Sequence, residues 1–135
     1  MYPTGEKMGL IIVVDDIRLS ADKRAVHCGN TDTAIQLFEE SLSRGEEIDQ
    51  LWLDYDMSET RGIGWRTTIP LAHWLIENQQ SRTPLVIHQI FVHSRHNHAK
   101  NLIGLLTPYF AVSGGTLPDS MWWEQPTEDE TRGQA

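Results

Sequence analysis

The 135 residues fit one domain with its own core, and the single cysteine, Cys28, excludes an intramolecular disulfide framework or a Cys-x-x-Cys metal knuckle. Apolar residues make up 39% and charged residues 22%, a globular rather than a disordered composition. With 19 acidic against 11 basic residues the formal charge is −8, which disfavours generic binding to nucleic acid or to an anionic membrane.

In chain order, residues 1–8 read as a short polar lead without the apolar core of a signal peptide, so the cytoplasm is the expected location. No apolar run approaches the ~20 residues of a bilayer span. Residues 9–14 (GLIIVV) form a β-branched apolar run that stops at Asp15 and Asp16, the pattern of a strand buried on both faces. A short strand is expected over residues 24–28. A helix then starts from a cap at Asn30 or Thr31 and runs to about Ser43. Ala34, Leu37, Phe38 and Leu42 line its inner face, and Gly45 stops it. Residues 50–53 form the next strand, again ended by acid in LWLDYDM. A polar loop over residues 58–64 leads to a helix with Pro70 in its first turn, ending near Gln80. Residues 85–92 (LVIHQIFV) are the longest predicted strand, followed by a helix over residues 97–106 and a last strand over residues 109–112.

Strands alternating with helices predict a three-layer α/β fold with a mostly parallel sheet of about five strands. Only residues 17–23 separate the first two predicted strands, too few for the usual helical crossover, so either the first helix is reduced or lost, or the second segment is not a parallel strand. Residues 1–112 are read as one domain and residues 113–135, with Trp122 and Trp123, as a tail docked on the body or on a partner.

Ligands of open α/β sheets bind beyond the carboxyl ends of the strands. Three predicted strand ends carry functional groups: Asp15 and Asp16 followed by Arg18, Asp54 followed by Asp56, and His93 followed by Ser94. In a parallel sheet all three clusters share one edge. Carboxylates gathered there need a cation, and their hard oxygens favour Mg²⁺, Mn²⁺ or Ca²⁺, with Mg²⁺ or Mn²⁺ preferred here. Asp15, Asp16 and Asp54 are the expected metal ligands. His93 suits proton transfer near neutral pH, Arg18 suits a bidentate phosphate clamp, and Ser94 suits a hydrogen bond to a phosphate oxygen. His88, His93, His96 and His98 raise a rival zinc reading, but alternation places His88 and His93 on opposite faces of one strand. Trp52 and Trp74 read as core, Cys28 as structural, and His27 and His73 as surface or partly packed. Trp65 reads as packing or a stacking residue beside the loop.

Asp54 in LDYDM stands where a response-regulator receiver domain carries its phosphoacceptor, the Asp15–Asp16 pair where receivers bind metal, and Ser94 where they carry Ser or Thr. The chain most closely resembles the cyclic-phosphate-processing receiver-like family, a shortened receiver relative. Its DDxR, LDxD and HSxN motifs read here as DDIR, LDYD and HSRHNHAKNL, the last ending in the Asn101–Leu102 pair. The resemblance covers roughly residues 9–112 and implies a receiver/flavodoxin-like fold. Two departures stand out: His96 replaces the Asn of HSxN, and no lysine follows the fifth predicted strand, which argues against ordinary phosphorelay. The resemblance implies metal-assisted processing of a cyclic phosphate, a nucleotide or an RNA-repair product. His93, Asp54 and Asp56 would be catalytic, and Arg18, Ser94 and Asn101 would bind ligand. The alternative is a non-enzymatic module that binds a phosphorylated ligand or a protein partner.

Overall fold

Strand β1 (Leu10–Val14) takes its form from five consecutive apolar residues, four of them β-branched, and those four are buried. It lies between β2 (Ala25–Cys28) and β3 (Ile48–Leu53), followed outward by β4 (Ile87–Val92) and β5 (Val112–Gly114). Every pairing in the five-stranded order β2-β1-β3-β4-β5 is parallel. These elements come from a computed structural model that describes residues 9–15, 25–55, 57, 67–93 and 99–114. Three helices connect the strands: α1 (Thr31–Arg44), α2 (Ile69–Gln79) and α3 (Ala99–Leu106). The all-parallel order 2-1-3-4-5 is that of a receiver/flavodoxin-like α/β fold.

The connections β2→β3, β3→β4 and β4→β5 all step across the sheet in the same direction. Right-handed crossovers therefore put all three helices on one face. The main core confirms it, joining Ile12, Val14, Leu51, Leu53, Ile90 and Val92 of the strands to Ala34, Phe38, Leu71, Leu75, Leu102 and Leu106 of the helices. The alternate strand residues Ile11, Val13 and Trp52, with Ala25 and Phe91, form a second apolar cluster that, among the described residues, draws on none of the three helices. The β1–β2 connection steps the other way across the sheet. Its residues 16–24, and with them the expectation of a reduced first helix, lie outside the described residues.

Local chemistry sets the boundaries of α1. The Asn30 side chain accepts a hydrogen bond from the Thr33 amide at 2.8 Å. At the other end Gly45 adopts φ 68°, and the amides of Gly45 and Glu46 donate to the carbonyls of Leu42 and Ser41. Three strands differ from the sequence reading by two residues or more, β4 beginning at Ile87 rather than at residue 85. β3 begins at Ile48, whose amide donates to the Val86 carbonyl at 2.8 Å. β5 is Val112–Gly114 rather than residues 109–112, because the Tyr109 and Phe110 amides both close the end of α3 on the Leu106 carbonyl. Among the described residues no helix is long and apolar enough to cross a membrane. Trp122, Trp123 and the whole of residues 115–135 lie outside the described residues.

Candidate functional site

The sheet register builds the site. Val14 pairs with Leu53 and Leu53 with Val92, so the next residue of each strand, Asp15, Asp54 and His93, falls in one row across β1, β3 and β4. Backbone hydrogen bonds hold the row together: the Asp54 amide donates to the Val14 carbonyl at 3.0 Å, and the His93 amide to the Leu53 carbonyl at 2.9 Å. The Asp15 amide donates to the Cys28 carbonyl at 3.1 Å, tying the row to β2. In a parallel sheet adjacent strands lie about 5 Å apart, so neighbouring side chains of the row meet.

All three side chains are buried, with Asp15 0%, Asp54 5% and His93 2% exposed. Buried carboxylates are unusual and require compensation from partners or a cation. His93 Nδ1 lies 3.8 Å from Asp15 Oδ2. Strand alternation puts the row on the face of Ile11, Val13 and Trp52, away from the three helices. The His93 ring accordingly lies 6.0 Å from Trp52, which stacks on Phe91 at 4.1 Å. The Trp52 indole N–H is occupied by Gln50 Oε1 at 2.9 Å.

Thr68 secures the loop edge of the site. Its hydroxyl, fully buried, donates to the Asp54 carbonyl at 2.7 Å, and its amide donates to the Tyr55 carbonyl at 3.1 Å. The start of α2 is thus fixed to the end of β3. The sequence reading missed this residue, although a threonine before Ile69–Pro70 is itself a helix-start signal. It also read Trp52 as core and did not place it beside His93.

The structure therefore brings together Asp15, Asp54 and His93. Asn101 occupies an exposed position near the start of α3, whose buried residues are Ala99, Leu102 and Leu106. Asp16, Arg18, Asp56, Ser94, His96 and His98 lie outside the described residues. Among the described residues no group of three or more His, Cys, Asp or Glu side chains is placed to hold a metal ion. The zinc reading loses His88, which is exposed near the amino end of β4 and bonds Glu47 at 2.8 Å. His73 is exposed and His27 half-buried. Cys28 is buried, and burial raises its thiol from 9.0 to about 11, as befits a structural cysteine. An open groove of about 510 Å³ lies at the opposite, amino edge of the sheet, between Leu42, Glu46, Glu47, Pro84 and Val86. It contains no histidine or basic residue and is separate from the row.

A family described as "Cyclic-phosphate processing Receiver domain" matches residues 10–106, a span that contains β1 to α3 and the whole Asp15–Asp54–His93 row. No curated protein and no solved structure matches the chain.

Proposed function

The chain belongs to the cyclic-phosphate processing receiver domain family, and from that premise we propose that it is a metal-dependent phosphoesterase that opens a cyclic phosphate of a nucleotide or an RNA-repair product. The observation that carries this reading is the buried row of Asp15, Asp54 and His93 across three adjacent strand ends. Two neighbouring carboxylates with hard oxygens fit Mg²⁺ or Mn²⁺ chemically, and Asp16 would complete the ligand set. Once bound, the metal would neutralise phosphate oxygens and activate a water.

The chain's own groups handle binding and protons. Arg18 and Ser94 hold the phosphate oxygens, Asn101 meets the ligand from α3, and Asp56 supports Asp54 in the catalytic set. Ring opening forms one P–O bond from water and breaks another to a ring oxygen, so the departing oxygen must gain a proton. His93 supplies it and recovers a proton from the water that attacks. Asp15, 3.8 Å away, holds the imidazole ring beside the row and balances its positive charge when it is protonated. No lysine lies on or follows β5, so a receiver-type switch dependent on that lysine is not part of the proposal.

The test is a metal-supplemented panel of 2′,3′-cyclic nucleotides, cyclic dinucleotides and ADP-ribose cyclic phosphate, with turnover and binding measured in parallel. His93→Ala should lower turnover about 10²–10⁴-fold, the usual worth of general acid–base catalysis. Its affinity should change far less, because the proton moves in the transition state. Arg18→Ala should instead weaken binding. A parent protein that binds one of these compounds tightly and leaves it intact for hours is a binding module, and the enzyme reading is then withdrawn.

A further inference from the structure

The groove at the amino edge of the sheet is built from two braced turns. On one side Gly45, at φ 68°, closes α1, and the Gly45 and Glu46 amides donate to the Leu42 and Ser41 carbonyls. On the other, side chains at the end of α2 hold both backbone groups of Leu85. Asn78 Oδ1 accepts from its amide and Gln79 Nε2 donates to its carbonyl, each at 2.8 Å. Between the turns the Ile48 amide pins the Val86 carbonyl at 2.8 Å. The walls are therefore fixed before anything binds, which lowers the ordering cost of association. The groove holds about 510 Å³, inside the roughly 300–1,000 Å³ range of ligand clefts.

The lining combines two chemistries. Leu42, Pro84, Leu85 and Val86 give it an apolar strip. Val86 is 43% exposed, one of three large apolar side chains among the described residues that stay open to solvent, although its backbone is tied into the sheet. Glu39, Glu46 and Glu47 add three carboxylates, and among the described residues no basic side chain joins the lining. Glu46 meets Arg44 only at 3.9 Å and Glu47 bonds the His88 ring at 2.8 Å, and these four side chains are 39–61% exposed. Exposed pairs of this kind contribute about 0–1 kcal/mol, so the carboxylates can exchange them for a partner's cations.

We propose that this groove is a docking site for a basic segment of a partner protein, one that carries aliphatic side chains between Arg or Lys residues. Charge complementarity selects the occupant. Carboxylates lining the groove, on a chain of formal charge −8, repel nucleic acid, anionic lipid and phosphate ligands. An aliphatic side chain covers Val86 and Leu42, while the cations beside it reach Glu39 on α1 and Glu46 and Glu47 ahead of β3. A polyamine offers the charge without a branched apolar group to cover Val86. The groove opens at the edge opposite Asp15, Asp54 and His93, so a docked partner leaves the row accessible, and the inference does not depend on the proposed activity.

The experiment uses the full chain and synthetic hexapeptides that alternate leucine with arginine, with serine or with glutamate, together with spermidine. Binding is followed through the amide chemical shifts of isotope-labelled protein. The leucine–arginine peptide should bind saturably and weaken with added salt. Its shifts should concentrate at the amides of Leu42, Glu46, Glu47, Thr83 and Val86. The other two peptides and spermidine should bind more weakly. Val86→Ser and Glu39→Gln/Glu47→Gln, all at exposed positions, should each weaken the leucine–arginine peptide about three- to tenfold. Their spectra away from the groove should match the parent's, which shows that the fold is kept. No saturable binding at millimolar peptide, shifts spread over other acidic surfaces or centred on the row, spermidine binding as tightly as the peptide, or a Val86→Ser variant that binds like the parent would each overturn the proposal.

Discussion

Replacing Asp54 with asparagine tests the carboxylate row directly, because it removes one charge and keeps the shape. The α2 anchor survives the change, since Thr68 bonds the Asp54 main-chain carbonyl rather than its carboxylate. Asp15 and Asp54 sit on adjacent parallel strands, and two ionised carboxylates there are about 5 Å apart. At that separation Coulomb repulsion is about 3 kcal/mol for an effective dielectric constant of 20, and about 1 kcal/mol in bulk water. Asp54→Asn should therefore stabilise the metal-free protein by about 1–2 kcal/mol, a rise of a few degrees in melting temperature. The parent has the opposite advantage with metal. At a hundredfold excess over its dissociation constant, a ligand that binds only the folded state adds about 2.7 kcal/mol. The two proteins should thus exchange order: the variant melts higher in chelator, and the parent melts higher in millimolar Mg²⁺ or Mn²⁺. Differential scanning calorimetry in both buffers reads this exchange. A parent whose melting temperature ignores both metals refutes the metal site, and a variant that melts lower in chelator refutes the repulsion argument.

Other outcomes follow from single contacts. Thr68→Val keeps the volume but loses the buried 2.7 Å bond to Asp54, and should cost about 1–3 kcal/mol in urea unfolding. Asn30→Ala removes the cap on the Thr33 amide and should cost about 1 kcal/mol by the same measurement. The raised Cys28 thiol means that folding favours its protonated form. Its contribution to stability is complete below 9.0 and should be lost as pH rises toward about 11, which denaturant melts across that window will show. Gly114→Ala would drive a Cβ into the Ile103 side chain where α3 packs on β5, so it should lower stability, whereas Gly114→Ala with Ile103→Val should recover part of the loss.

How much was legible in the sequence differs from residue to residue. β1 was plain, because five apolar residues ending at Asp15 leave little alternative for their burial. The ends of α1 were plain too, since Asn30 and Gly45 act through their own local chemistry. β5 was misplaced because Tyr109 and Phe110 look like strand residues, while their amides are taken by the Leu106 carbonyl, a competition that composition does not show. In the site, apolar runs ending in Asp or His identified the candidates. Their side-by-side order depends on the register of β1, β3 and β4, which only pairing reveals. Thr68 was missed for the same reason: its hydroxyl reaches back to Asp54 across a loop.

The parallel register has a kinetic consequence. Asp15, Asp54 and His93 become neighbours only when β1, β3 and β4 have all paired, and each pairing closes a long crossover of chain. Such non-local contacts form late and slowly, after the helices can fluctuate into shape. A transition state that has not aligned all three strand ends offers a ligand nothing to grip. Metal or cyclic phosphate should therefore leave the refolding rate nearly unchanged and express its whole effect as slower unfolding. For this chain, occupancy of the row would set how long the folded state lasts, while the strands alone set how soon it is reached.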